Sequence, residues 1–175
     1  SGATTCIACA AGTFSADSTV ACGTCSIGKY ADQEGMTICQ NCPVGTYSGT
    51  TGNDNVSDCI QCPAGTYIDV AGSDDVTDCI SCAAGTESEP GSDDVTDCIT
   101  CAAGTYSTSD TGTCTDTNDN AAVTTFVTSK DDCTGDGKSF VRSCIPCAAG
   151  SVTDTLNESG ATTCIACAAG TFSAD

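Results

Sequence analysis

The chain has 175 residues, 18 of them cysteine, with no histidine or tryptophan, and its 23 acidic against four basic side chains leave a formal net charge of −19. Leu, Ile, Val and Phe number only 24 between them, too few for apolar burial alone to offset the entropy of ordering the chain, so a conventional core is excluded and covalent cross-links must contribute. Nucleic acid and anionic membrane are poor partners for such a chain, since both require a positive footprint; no nucleic acid and no direct membrane insertion are expected of this segment.

From the amino end, residues 1–17 read SGATTCIACAAGTFSAD, and residues 159–175 repeat the same seventeen letters. One 158-residue period followed by the start of the next is therefore expected, a slice of a tandem array whose units contact mainly their neighbours and whose product is elongated. No signal peptide or membrane-spanning run is visible, and a slice beginning in mid-repeat would show none. Paired cysteines in this number predict an extracellular or cell-surface setting, where thiols are oxidised.

Inside the long period runs a shorter one. Cys-x-x-Cys-x-x-Gly occurs eight times, with first cysteines Cys6, Cys22, Cys39, Cys59, Cys79, Cys98, Cys144 and Cys164. Two places beyond the glycine stands an aromatic in six copies (Phe14, Tyr30, Tyr47, Tyr67, Tyr106, Phe172), with Glu87 and Val152 in the others. Ile follows the first cysteine in six of eight copies. The aromatic and the isoleucine are expected to be shielded against a cystine and the adjoining module, and the glycine to supply a turn that a side chain would block. Segments such as GTYSGTTGNDNVSDC and GTYIDVAGSDDVTDC place short β-prone stretches on either side of turns, the pattern of a small hairpin, and no helical periodicity is evident.

The rhythm fails between Cys101 and Cys144, so the organisation reads as six modules over 1–114, an insert over 115–143, and two further modules over 144–175. Within the insert, residues 121–129 and 138–143 read as two longer strands. Lys130, Lys138 and Arg142, three of the four basic residues of the chain, fall here. They are either ordinary charges on a larger hairpin or a lateral contact that docks on an acidic module of another copy.

Acidic residues recur just ahead of the cysteines: Asp54 and Asp58, then Asp74, Asp75 and Asp78, then Asp93, Asp94 and Asp97. Such oxygen ligands suit calcium, but no complete calcium loop is written here and a solvated acidic face is the stronger reading. The run DTNDN at 116–120 resembles a cadherin calcium linker with nothing else of that family present. Zinc fits poorly, because four-cysteine sites would orphan Cys114 and Cys133, and no other metal or cofactor is indicated. Catalysis lacks its parts, with no histidine and no unique pocket among near-equivalent modules. Asn55-Val-Ser57 and Asn157-Glu-Ser159 are N-glycosylation sequons expected to be occupied, and the abundance of Ser and Thr admits O-linked sugar.

Two pairings can account for all the cysteines: the second of each motif with the first of the next, or first with first and second with second. Spacing alone does not choose between them. The run Cys-x-x-Cys-Pro-x-Gly-Thr-Tyr, fullest at Cys39 to Tyr47 and Cys59 to Tyr67, resembles the ephrin-receptor-like cysteine-rich repeat and the first module of tumour necrosis factor receptor repeats. It is also similar to arrays in mastigonemes, the flagellar hairs of algae, and in cysteine-rich surface antigens of protists. The proline is present only as Pro43 and Pro63, so the likeness is to the repeat type.

That resemblance implies the ladder: Cys9 with Cys22, Cys25 with Cys39, Cys42 with Cys59, Cys62 with Cys79, Cys82 with Cys98, Cys101 with Cys114, Cys133 with Cys144, and Cys147 with Cys164. Cys6 and Cys167 are left for partners in adjacent periods. The fold expected is small, disulfide-rich and mostly irregular with short β-hairpins, an elongated tandem-repeat rod. The function expected is a glycosylated structural subunit of an extracellular filament, appendage or surface coat whose partners are copies of itself. A receptor or adhesion ectodomain is the rival, and a metal store a distant third.

Overall fold

The computed structural model describes residues 6–108, 112–116, 123–127, 138–155 and 158–169, with 112–116, 123–127 and 138–142 described as backbone strands. The chain forms two compact units, Ser1–Cys62 with Ile68–Cys79 and Pro63–Tyr67 with Ile80–Asp175.

In the first unit each Cys-x-x-Gly-x-aromatic segment starts a hairpin of two-residue strands. Thr13–Phe14 pairs antiparallel with Gly23–Thr24, Lys29–Tyr30 with Gln40–Asn41, and Thr46–Tyr47 with Ile60–Gln61. Local chemistry sets the turn before the first strand: the Thr46 hydroxyl donates to the Pro43 carbonyl at 2.6 Å, and Gly45 has φ of 77°. Cystines Cys9–Cys22, Cys25–Cys39, Cys42–Cys59 and Cys62–Cys79 close the loops, with Cα separations of 5.6 to 5.8 Å. Cys25, Cys42 and Cys62 are fully buried. One core cluster is made of sulfur and a small apolar group, Cys25, Ala31 and Cys39, with Phe14 and Met36 packed against them, and Ile68 is buried elsewhere in the unit.

Successive modules are joined by a repeating set of backbone bonds. The Gly12 amide donates to Ala31 at 2.8 Å, Ala31 to Asn53 at 3.0 Å, Gly52 to Cys25 at 2.8 Å and Cys25 back to Gly12 at 2.9 Å. One module on, Gly28 to Ser48, Ser48 to Ser73, Gly72 to Cys42 and Cys42 to Gly28 reproduce the set at 2.7 to 3.1 Å. Glycine does more here than turn the chain. A Cβ on Gly28 would run into the carbonyl of Gly72, two modules away, and one on Gly12 into that of Gly52.

In the second unit Thr66–Tyr67 pairs with Ile80–Ser81, Thr86–Glu87 with Ile99–Thr100, Thr105–Tyr106 with Ile145–Pro146, and Ser151–Thr153 with Cys164–Ala166. Cys82–Cys98, Cys101–Cys144 and Cys147–Cys164 are its described cystines. The expected Cys101–Cys114 and Cys133–Cys144 bridges are corrected: Cys101 bonds Cys144 across a separation of 43 residues. The physical reason is the hairpin. Tyr106 pairs with Ile145 as Tyr67 pairs with Ile80, which carries Cys144 to the position that every other module's closing cysteine occupies.

Gly112–Asp116, a strand not foreseen, lies between Val123–Val127 and Lys138–Arg142 and pairs antiparallel with both. The two foreseen strands therefore flank a third and do not form a hairpin with each other. Cys114 sits on that central strand, so the boundary drawn at 114 and 115 falls inside the insert's sheet.

No α-helix occurs among the described residues; Val56–Asp58, Val76–Asp78 and Val95–Asp97 are single 3-10 turns. Six of the seven described cystines close separations of 13 to 17 residues. Restriction of the unfolded chain makes each worth about 3 kcal/mol, and the longer one about 4 kcal/mol.

Candidate functional site

The surface that recurs from module to module is built by the 3-10 turn and the strand after it. The sequence Asx-Val-Ser/Thr-Asp-Cys folds this way because its polar side chains satisfy the orphan amides of the turn. Asn55 Oδ1 accepts from the Ser57 amide at 2.9 Å, and the matching bonds, Thr77 to Asp75 and Thr96 to Asp94, are both 2.8 Å. The second aspartate reaches back: Asp58, Asp78 and Asp97 each accept through Oδ2 from the amides of the two residues that open the turn. The Thr77 and Thr96 amides, followed by their hydroxyls, hold the carboxyls of Asp75 and Asp94 below the usual range. Asp17 is lowered in the same way by Thr19.

Of the aspartates weighed as calcium ligands, Asp58, Asp75, Asp78, Asp94 and Asp97 cap these turns through their carboxylates, whereas Asp54, Asp74 and Asp93 contribute their amides. Among the described residues no three His, Cys, Asp or Glu groups converge as a metal site. Of the 116–120 run, only the backbone of Asp116 lies within the described residues.

The isoleucines depart from expectation. Ile60, Ile80 and Ile99 stand opposite Tyr47, Tyr67 and Glu87 in the hairpins, yet are 55%, 47% and 66% exposed, and Ile7 and Ile165 are exposed as well. The expectation that each is shielded is corrected: both residues of each of these two-residue strands are exposed, so the strand by itself is too short to turn a side chain under cover. Ile145, in the same register opposite Tyr106, is 3% exposed. Val56, Val76 and Val95, each the first residue of a turn, are exposed as well.

Glu87, one of the two exceptions in the aromatic series, has a specific task. Its carboxylate accepts the Cys144 amide at 2.7 Å, at the point where the insert rejoins the module frame. Sequence reasoning missed this bond because its partners are 57 positions apart. Around the turn of that module lies a cleft of about 330 Å³ lined by Glu89, Pro90, Gly91, Ser92, Thr96, Asp97 and Ile99.

The remaining expected residues are dispersed. Lys138 and Arg142 bound an outer strand of the insert sheet; Lys130, Cys133 and Asn157 lie outside the described residues. Lys29, the fourth cation, donates to Asn41 Oδ1 at 2.9 Å. Cys6 and Cys167, expected to bond between periods, are free thiols within this chain. Cys6 lines an open cleft of about 570 Å³ with Ile7, Val20 and Met36. Asn55 is exposed at its turn. No helix among the described residues is long and apolar enough to cross a membrane.

The family model described as tyrosine-protein kinase ephrin type A/B receptor-like matches residues 12–59 and again 49–98. The two matches overlap and together cover the modules from Gly12 to Cys98. No curated protein matches the chain.

Proposed function

We propose, from the premise that residues 12–98 belong to the ephrin-receptor-like cysteine-rich repeat family, that this protein is a structural subunit of an extracellular filament, appendage or surface coat. Repeats of this family are extracellular modules and not catalysts. The observation that carries the reading is the constancy of the frame. The backbone set of the first unit recurs beyond Cys82, where Gly85 donates to Ser107, Ser107 to Ala161, Gly160 to Cys101 and Cys101 to Gly85 at 2.8 to 3.2 Å. The set holds although Cys101 and Cys144 are 43 positions apart in sequence. Together with the recurrence of seventeen residues at an interval of 158, this supports a polymer of regular units whose partners are copies of itself.

Glycan at Asn55 suits this reading. Sugar joins the amide nitrogen, which leaves the Oδ1 cap on Ser57 intact. Asn157 supplies the second sequon.

The family match itself favours a second reading, a receptor or adhesion ectodomain. Negative-stain imaging of native material separates the two. Filaments with a constant axial repeat are expected, whereas isolated stalks emerging singly from a membrane would replace the filament by the ectodomain.

A further inference from the structure

We infer that the cleft at Glu89, Pro90, Thr96, Asp97 and Ile99 is the acceptor for the insert strand Lys138–Arg142 of a second copy of this chain, an inference that rests on the filament reading. The lining of the cleft is both apolar and acidic: Ile99, 66% exposed, and Pro90 share it with Glu89 and Asp97. At about 330 Å³ it stands at the lower bound of pockets that enclose small ligands, about 300 to 1,000 Å³, and it suits the side chains of an extended peptide.

The module frame tolerates cover at this position. Ile145 occupies the register of Ile99 in the next module, and there it is buried with strand pairing unchanged and Cα atoms of the cystine 5.7 Å apart against 5.6 Å. What remains is to identify the occupant, and charge does so. Two chains of net charge −19 repel, so an element that brings them together has to be cationic and apolar at once.

Lys138-Ser-Phe-Val-Arg142 is the one described strand with a cation at each end, and it carries Phe140 and Val141 between them. It is an outer strand: one edge pairs with Gly112–Asp116, and the other pairs with no described strand. An unpaired edge is a template for association. Lys29, the cation outside the insert, is already bonded to Asn41 within its own hairpin.

The test is sedimentation of the full disulfide-intact chain over a range of concentration and salt. The wild type is expected to self-associate and to dissociate as salt rises. Ile99→Ser, at an exposed position where folding is not at stake, is expected to weaken association about tenfold or more. Lys138→Glu with Arg142→Glu is expected to weaken it likewise, and Glu89→Lys added to that double variant to recover part of the loss. Four results overturn the inference: a monomer throughout, association that Ile99→Ser leaves unchanged, a charge-swapped variant with no recovery, or cross-linking of Lys138 to Glu89 that does not vary with concentration and so places the strand on its own chain. The filament reading is judged separately by the axial repeat of native material, which loss of this lateral contact leaves in place.

Discussion

The module closed by Cys82–Cys98 and the module closed by Cys101–Cys144 differ in length and hardly at all in frame. One spans 16 residues between its cysteines and the other 43. Both keep a two-residue hairpin, and both donate to the preceding glycine carbonyl, Cys101 to Gly85 at 2.8 Å and Cys147 to Gly104 at 3.1 Å. The frame is therefore set by the cystine, the glycine turn and a few backbone bonds, while the stretch between the aromatic strand and the next cysteine is free to grow. Loop closure explains the tolerance, because lengthening the loop from 16 to 43 residues costs only about 1 kcal/mol. The long loop is then the place where the array can acquire a feature that its other modules lack.

The largest effect that would sharpen this comparison comes from the two turn glycines. Gly85 and Gly104 share φ near 80°, but a Cβ on Gly85 would run into the backbone of Gly160, whereas no described atom lies within 4 Å of one on Gly104. Gly104→Ala is expected to cost about 1 kcal/mol for the left-handed backbone alone. Gly85→Ala adds a backbone overlap and is expected to cost more than about 3 kcal/mol. Chemical denaturation of the oxidised protein measures both, and equal costs would break the claim that close module approach requires glycine.

A smaller effect separates Asp94 from Asn55. The folded Asp94 carboxyl is held below its ordinary value by the Thr96 amide, so its contribution is present above the unfolded pKa, about 4, and is lost as pH falls through the lower folded value. The Thr96 amide resonance is expected to move through that acid range, and the Ser57 amide, capped by Asn55, not to follow a carboxyl of this kind. Asp94→Asn keeps the cap, abolishes the titration at Thr96 and creates the sequon Asn-Val-Thr, so a secreted variant gains a glycan. A Thr96 amide that stays fixed in acid would remove the capping role assigned to Asp94.

Much of this molecule was legible because its signals are local. Eight motifs at regular spacing located the hairpins, and the repeat resemblance ordered six of the seven described cystines, failing where the insert intervenes. Cys101 was misassigned because Cys114 lies at an ordinary module spacing, while the strand pairing that selects Cys144 is non-local. Gly112–Asp116 was missed since its glycine, threonines and lone cysteine carry no apolar alternation, and its place is set by two longer partners. The capping turns could have been found: a short polar residue three places before an aspartate is a capping pattern, and it recurs at Asn55, Asp75 and Asp94. The exposed isoleucines could not, because Ile145 holds the same motif position and register and is buried, so the motif does not say which copies are covered.

Peptide mapping of the native, unreduced protein tests the central claim most directly, that a cystine ladder holds one module frame across the insert. The account predicts a Cys101–Cys144 cross-link alongside Cys82–Cys98 and Cys147–Cys164. Recovery of Cys101 bonded to Cys114, or of predominantly free thiols along the chain, would contradict it.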